Sequence, residues 1–183
     1  IASQHAGALE PNLESLLGEA MERGLVEDAA IAASLDQRAA FWRLREMLSE
    51  VQKHEGGSIK PDVSVPVSGV PTFLARADAA VAALMPGVPV VAFGHLGDGN
   101  IHYNLSQPVG ADKQAYLARW SEANETVHAI VADLSGSISA EHGIGVLKRD
   151  LLPRVKDKTA LDIMRALKRT LDPLDILNPG KVL

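Results

Sequence analysis

The segment GHLGDGNIHYN at residues 94–104 constrains the fold more than any other part of the chain. An Asp-Gly dipeptide between two extended runs is a strong signal for a two-residue β-hairpin turn, so it predicts that His95 and His102 lie directly opposite each other. Opposed residues share a face of the sheet, with Cβ atoms about 5 Å apart. Asn104 follows two residues after His102 and points to the same face. The sequence therefore predicts two adjacent imidazoles, which are half of a metal site.

Helices and extended segments alternate along the rest of the chain. Apolar spacing predicts helices at residues 10–23, 36–54, 71–85, 112–134 and 158–171, and extended segments at residues 25–33, 62–67, 88–95, 101–105 and 136–139. In the second helix, Phe41, Leu44, Leu48 and Val51 are predicted to point inward. Because at least one strand pair is an antiparallel hairpin, we expect an α+β fold with helices on one face of a sheet.

Composition excludes several classes of protein. A chain of 183 residues suits a single domain, and the absence of cysteine excludes disulfides and thiolate metal ligands. The net charge is −5 and the basic residues are dispersed, which argues against nucleic-acid binding. No apolar run reaches the roughly 20 residues of a membrane span, and no signal peptide is apparent. We expect a cytoplasmic protein, whose sequence here begins inside a longer polypeptide.

A second polar cluster supplies the missing half of a metal site. Glu141 and His142 lie in the glycine-flanked segment at residues 137–145. If Glu141 reaches His95 and His102, two imidazoles and one carboxylate form the ligand set of an open catalytic zinc site, and the same set suits non-haem iron. In an extended strand His142 would face away from Glu141, so we assign it to proton transfer. The ordinary alternatives are a polar cross-strand pair and a capped turn.

A third cluster is basic. Arg45 and Ser49 are four residues apart on one face of the second predicted helix, and Lys60 follows the Gly56-Gly57 break. Together they could hold an anionic substrate, with the guanidinium fork of Arg45 on a carboxylate. Spacing alone equally fits a solvated helix face.

Three long strings resemble the C-terminal domain of the FAD-linked oxidases, whose members include D-2-hydroxyglutarate dehydrogenase, D-lactate dehydrogenase and the FAD-binding subunit of glycolate oxidase. The strings are GHLGDGNIHYN, SISAEHGIG and DPLDILNPGKVL, and they are joined by WRLRE at residues 42–46 and DVSVPV at residues 62–67. The resemblance covers nearly the whole chain. It implies a ferredoxin-like antiparallel sheet with helices on one face.

The resemblance also implies roles for the polar residues. His95, His102 and Glu141 would bind a divalent metal, zinc in the D-2-hydroxyglutarate dehydrogenase branch, and His142 would be the catalytic base. The substrate would be contacted by Arg45, Ser49, Lys60 and Asn104.

The expected function is that of a substrate- and metal-binding domain in an enzyme that oxidises a D-2-hydroxy acid. In this family FAD lies mainly in an N-terminal domain, and this chain has no glycine-rich dinucleotide loop to replace it. Residues 1–183 are thus expected to form one domain that works with a flavin domain of the same polypeptide and an electron acceptor. A homodimer is compatible with this arrangement. Two rival classes are a free-standing metal hydrolase and a non-catalytic module that docks on a separate flavin subunit.

Overall fold

The computed structural model describes residue 7, residues 9–54 and residues 56–183. These residues divide into two compact units, with the boundary between Ser49 and Glu50. The expectation of a single domain stays a prediction, and each unit is described by itself.

The first unit is helical. It contains α1 (Leu9–Glu22) and most of α2 (Leu35–Val51). Gly24, with a φ of 65°, ends α1 because it adopts the left-handed conformation that lets the N–H of Leu25 reach the carbonyl of Ala20 at 2.8 Å. Both predicted helices are confirmed.

Two details of the first unit were predicted wrongly. Residues 25–33 form no strand, because a strand needs a hydrogen-bonded neighbour and none of the described segments pairs with them. The apolar side chains predicted to point inward from α2 are not buried, and Phe41 and Leu44 are 45% and 71% exposed. Apolar spacing marks the face of a helix that is suited to burial, but it does not show what covers that face.

The second unit combines a sheet with helices. The strands are β1 (Ser58–Ile59), β2 (Asp62–Ser64), β3 (Val90–His95) and β4 (Asn100–Ser106), and the helices are α3 (Val70–Leu84), α4 (Lys113–Ala118), α5 (Trp120–Asp133), α6 (Leu152–Val155) and α7 (Lys158–Leu171). The predicted helix at 158–171 is confirmed to the residue. The one predicted at 112–134 is instead two helices, because Arg119 between them has a non-helical ψ of 6°. The short α6 was not predicted.

The long strand β4 organises the sheet. β3 pairs with one edge of β4, while β1 and β2 follow each other along the other edge, and all pairings are antiparallel. A bridge from Ser64 to Ser137 adds a further extended piece beside β2. Chain order is therefore strand, α3, β3, β4, α5, strand, and the spatial order is that of a ferredoxin-like sheet. The predicted α+β class is confirmed.

The two faces of β4 differ in character. Ile101, Tyr103 and Leu105 point towards α3 and α5 and are at most 5% exposed. Phe73 of α3 meets Tyr103 edge to face, with ring centroids 5.6 Å apart. Burial of each such side chain contributes about 1.5–3 kcal/mol. The alternate residues of β4, which are polar, point to the other face.

One apolar segment overlaps this core. Val67–Leu84 has the length and mean hydropathy, 1.2, of a helix that could cross a membrane. In this structure it contains α3, and Phe73, Ala77 and Val81 from that helix lie in the core.

The hairpin forms as predicted, but its register is different. Phe93 opposes His102 and His95 opposes Asn100, so the turn contains four residues, 96–99, instead of the predicted two, and the predicted direct pair of His95 with His102 is wrong. The turn is held against a neighbouring segment, because the N–H of Val65 donates to the carbonyl of Gly99 at 3.1 Å. A shift of two residues keeps every side chain on its face. The imidazoles therefore remain neighbours, diagonally, with ring centroids 6.4 Å apart.

Candidate metal and substrate site

A buried carboxylate lies at the centre of the face that α3 and α5 leave uncovered. Asp62 of β2 directly opposes His102 of β4, so their side chains share this face. Asp62 is 1% exposed, and its Oδ1 lies 3.2 Å from Nδ1 of His102. Its other oxygen, Oδ2, accepts the backbone N–H groups of Glu141 and His142 at 2.8 and 2.9 Å. Asp62 thus positions the segment that carries Glu141 and lies directly beside the ring of His102.

The hydrogen bonds to Asp62 decide its charge. Burial alone would raise its pKa, but the backbone N–H groups of His142 and Glu141, with the nearby imidazoles, hold the pKa of Asp62 below its usual value. Asp62 therefore stays ionised beside the ring of His102, with its Oδ1 3.2 Å from Nδ1 of that ring and without a hydrogen bond to it.

Glu141 lies between the two histidines of the hairpin. Its Oε1 is 3.3 Å from Nδ1 of His95, and its Oε2 is 3.8 Å from Nε2 of His102. Asn100, which opposes His95 in the hairpin, donates a side-chain hydrogen bond to Oε1 of Glu141. The side chains of His95 and Glu141 are about half exposed, whereas that of His102 is 16% exposed. The structure therefore brings together the three residues predicted as metal ligands.

Glu141 contacts the two histidines through different oxygens, Oε1 towards His95 and Oε2 towards His102. Tetrahedral zinc with ligands at 2.0–2.1 Å separates its ligand atoms by about 3.4 Å, so each pair taken alone has a spacing near that of two ligands of one metal. The three residues are linked pairwise through Glu141, and they are not a set in which one ligand atom from each lies within 4.8 Å of the other two. Oδ1 of Asp62 and Oδ1 of Asn100 are buried and accept no hydrogen bond from the described residues. Donors of this kind, two imidazoles and carboxylates, suit zinc or another first-row divalent metal.

A second set of donors overlaps the first. Ligand atoms of Asp62, His102 and His142 lie within 4.8 Å of one another. In this set Asp62 is buried and its Oδ2 already accepts two N–H groups. The set with Glu141 is more open to solvent, as a catalytic metal with a free coordination position requires.

His142 takes a position that differs from the expected one. Residues 141 and 142 lie in an irregular bend and not in a strand, and the following Gly143 has a φ of 74°. The side chains of Glu141 and His142 consequently both approach His102, and the rings of His142 and His102 stack with centroids 6.1 Å apart. Nδ1 of His142 is 3.7 Å from Oδ2 of Asp62, and the side chain of His142 is 60% exposed.

The four residues predicted to contact the substrate differ in their exposure and in the unit to which they belong. Asn104 lies on the face of His102 but is 4% exposed, and its Nδ2 donates to Oε1 of Gln52 at 2.9 Å. Lys60 lines a cavity of about 380 Å³, which His142 also lines. Arg45 and Ser49 lie four residues apart on α2, in the first unit. That all four contact one substrate stays a prediction.

Sequence reasoning missed three polar residues that organise this region: Asp62, Asn100 and Lys148. Nζ of Lys148 donates to the carbonyl of Ile138 at 2.6 Å and lies 3.5 Å from the carbonyl of Asp62, and its burial lowers its pKa. For Asp62 a signal existed, because it is an acid that alternates with valines in a segment predicted to be a strand. Only strand pairing shows that Asp62 lies opposite His102.

Comparison with known proteins identifies the family of this chain. A family model described as FAD linked oxidases, C-terminal domain, matches residues 1–182. The chain belongs to this family. It is 40% identical over 162 residues to D-2-hydroxyglutarate dehydrogenase from Stutzerimonas stutzeri (strain A1501), which covers 88% of this chain and 35% of that protein.

More distant relatives in this family are mitochondrial. D-2-hydroxyglutarate dehydrogenase, mitochondrial, from Arabidopsis thaliana is 36% identical over 93% of this chain and 29% of that protein. The protein of the same name from Danio rerio is 34% identical over 100% of this chain and 33% of that protein. This FAD-linked oxidase C-terminal domain spans about a third of the length of these curated relatives.

Proposed function

We propose that this chain is the substrate- and metal-binding domain of an FAD-dependent dehydrogenase that oxidises a D-2-hydroxy acid to the 2-oxo acid. Membership of the FAD-linked oxidase family supports the use of FAD, and relatives named D-2-hydroxyglutarate dehydrogenase support the substrate class. The observation that carries the proposal is the position of Glu141, with one oxygen 3.3 Å from His95 and the other 3.8 Å from His102.

His95, His102 and Glu141 would hold a divalent metal, which we propose to be Zn²⁺. A metal in this position supplies Lewis acidity that lowers the pKa of a bound alcohol. The part of the chain described here would position the metal and substrate, and FAD held elsewhere in the polypeptide would accept the hydride from C2.

His142 is the proposed base. The ring of His142 stacks on that of His102, so His142 lies next to the residues that would hold the metal and the hydroxyl group of the substrate. An imidazole suits proton transfer near neutral pH. As His142 takes the hydroxyl proton, its new positive charge is stabilised by Asp62, whose Oδ2 is 3.7 Å from Nδ1 of His142 and which has a lowered pKa.

The substrate carboxylate is proposed to bind to the basic residues. Lys60 shares a cavity with His142, so an anion bound beside Lys60 lies close to the proposed base. Arg45 would add a bidentate contact to the carboxylate, and Ser49 and Asn104 would add hydrogen bonds. Asn104 is oriented by Gln52, which fixes its amide before substrate arrives.

Replacement of one metal ligand tests the proposal. In the full-length protein, Glu141→Gln and His95→Ala are expected to reduce bound metal to a small fraction of one equivalent, measured by elemental analysis, and to abolish most turnover. His54→Ala removes a histidine of the short 3-10 turn after α2 and is the matched control, with metal and turnover retained. Full metal content and an unchanged rate in Glu141→Gln would contradict the proposed site.

The same preparation separates the rival functions. A dehydrogenase requires FAD and reduces it when a D-2-hydroxy acid is added without an electron acceptor. Metal-dependent hydrolysis without flavin would support a hydrolase instead, and FAD carried only by a separate subunit would support a docking module. A cytoplasmic location, the absence of a membrane span and a homodimer stay predictions, as does the identity of the electron acceptor.

A further inference from the structure

A second cavity lies in the part of the chain that follows the hairpin. It has a volume of about 230 Å³ and is formed by one face of α5, by α6 and by Ile138. Its walls are mostly apolar, from alanines of α5 and from Leu151 and Val155. None of the residues proposed to bind metal or substrate lines it. The cavity therefore needs an explanation of its own.

His128 of α5 is the one buried polar group among its lining residues. It is 6% exposed, and neither Nδ1 nor Nε2 has a hydrogen-bond partner among the described residues. Burial, with a smaller effect of the nearby charge of Lys148, lowers the pKa of His128 to about 4, so the ring is neutral at physiological pH. A neutral imidazole offers one donor and one acceptor. Leaving such a group unsatisfied costs about 1–3 kcal/mol, so the ring favours an occupant that satisfies it.

The charged residues of the cavity balance each other. Glu125 and Arg154 also line it, and both are exposed. Neither side chain forms an ion pair with any residue in the described ranges. The nearby Lys148 donates to the carbonyl of Ile138 and does not line the cavity, so the lining residues, with one charge of each sign, favour neither an anion nor a cation.

We propose that this cavity binds a small neutral ligand that carries a hydroxyl group on an apolar body, such as a phenol. A hydroxyl both donates and accepts, which matches the neutral imidazole of His128. A cavity of about 150 Å³ is enough to admit benzene, so the volume of about 230 Å³ accommodates one substituted ring. The inference does not rest on the proposed function, because it involves none of the proposed catalytic residues.

Phenol and toluene are the matched probes, since they share a ring and differ in the hydroxyl group. In the full-length protein with ¹⁵N-labelled histidine, phenol is expected to shift the ring nitrogen signals of His128, and to bind roughly three- to tenfold more tightly than toluene, the value of one net hydrogen bond. Benzoate and benzylammonium are expected to bind more weakly than phenol. No shift at His128, or equal affinity for phenol and toluene, would overturn the proposal.

Two variants locate the binding. His128→Phe retains a ring but no polar atom, so it is expected to lose the preference for phenol over toluene. Ala132→Leu fills the cavity and is expected to abolish phenol binding, whereas Ala166→Leu, at an exposed alanine of α7, is the matched control that retains it. Crystals soaked in 4-bromophenol should show anomalous bromine density beside His128. Bromine elsewhere only, or phenol binding unchanged by Ala132→Leu, would refute the site.

Discussion

Acid is expected to destabilise this protein through His128. The imidazole is buried in the fold with a pKa of about 4, against an ordinary value of 6.5 in the unfolded chain. A depressed pKa means that the unfolded state binds more protons below pH 6.5. Stability due to the neutral ring is therefore present above pH 6.5 and is lost as the pH falls towards 4.

The magnitude follows from the pKa difference. Each pKa unit corresponds to about 1.4 kcal/mol, so the shift from 6.5 to about 4 corresponds to a loss of about 3 kcal/mol once the pH is below both values. At pH 4.5 most of that loss, roughly 2.5 kcal/mol, has already occurred. Lys148, Arg154 and Glu125 are the charged groups around this ring, and the charge of Lys148 adds to the effect of burial.

The assay compares the free energy of unfolding of the chain and of His128→Phe at pH 7 and pH 4.5, from urea denaturation followed by circular dichroism. Carboxylates contribute equally to both proteins, so the difference between their acid sensitivities isolates His128. We expect the variant to lose roughly 2.5 kcal/mol less than the parent between these pH values. His54→Phe, on the exposed His54, is the control that should behave as the parent. Equal losses in all three proteins, or an NMR titration of His128 near pH 6.5, would refute the reasoning.

Three further substitutions test the fold and the candidate site. Asp62→Asn is expected to weaken metal binding by about 10–100-fold, measured by competition with a chelator, because it weakens the hydrogen bonds that orient Glu141 and His142. An unchanged metal affinity would contradict this role of Asp62. Tyr103→Phe removes the 2.6 Å hydrogen bond to Asp78 and should lower the free energy of unfolding, measured by urea denaturation, by about 1–2 kcal/mol. An unchanged free energy of unfolding would show that this hydrogen bond does not stabilise the fold. Gly99→Ala should destabilise by more than about 2 kcal/mol, since a Cβ there would lie 1.9 Å from a main-chain oxygen; Gly97→Ala, with open space around it, is the neutral control.

Local sequence patterns were sufficient to predict those elements whose signals lie within the element itself. The helix at 158–171 was predicted to the residue, and the structure shows a local signal at its start, where the side chain of Asp157 caps it and accepts the N–H of Ala160 at 3.1 Å. The hairpin was predicted from alternation and an Asp-Gly dipeptide. The extended segment at 25–33 failed because a strand also requires a partner that no local pattern supplies.

The candidate site could be predicted only in part. That His95, His102 and Asn104 share a face follows from alternation, and it survives the two-residue change of register. The roles of Asp62 and Asn100 could not be predicted, because each depends on which residue lies opposite on another strand. Neither pairing is visible in a single segment of sequence.

The sequence by itself determined the family, the α+β class and the residue types available for metal and proton chemistry, because these depend on motifs and periodicity along the chain. Tertiary structure alone decided the length of the hairpin turn, through contact between Gly99 and Val65, and the approach of Glu141 to His95 and His102. The physical reason is that Glu141 is positioned by two long-range hydrogen bonds. The backbone N–H groups of Glu141 and His142 donate to Asp62, which lies 79 and 80 residues earlier in the chain.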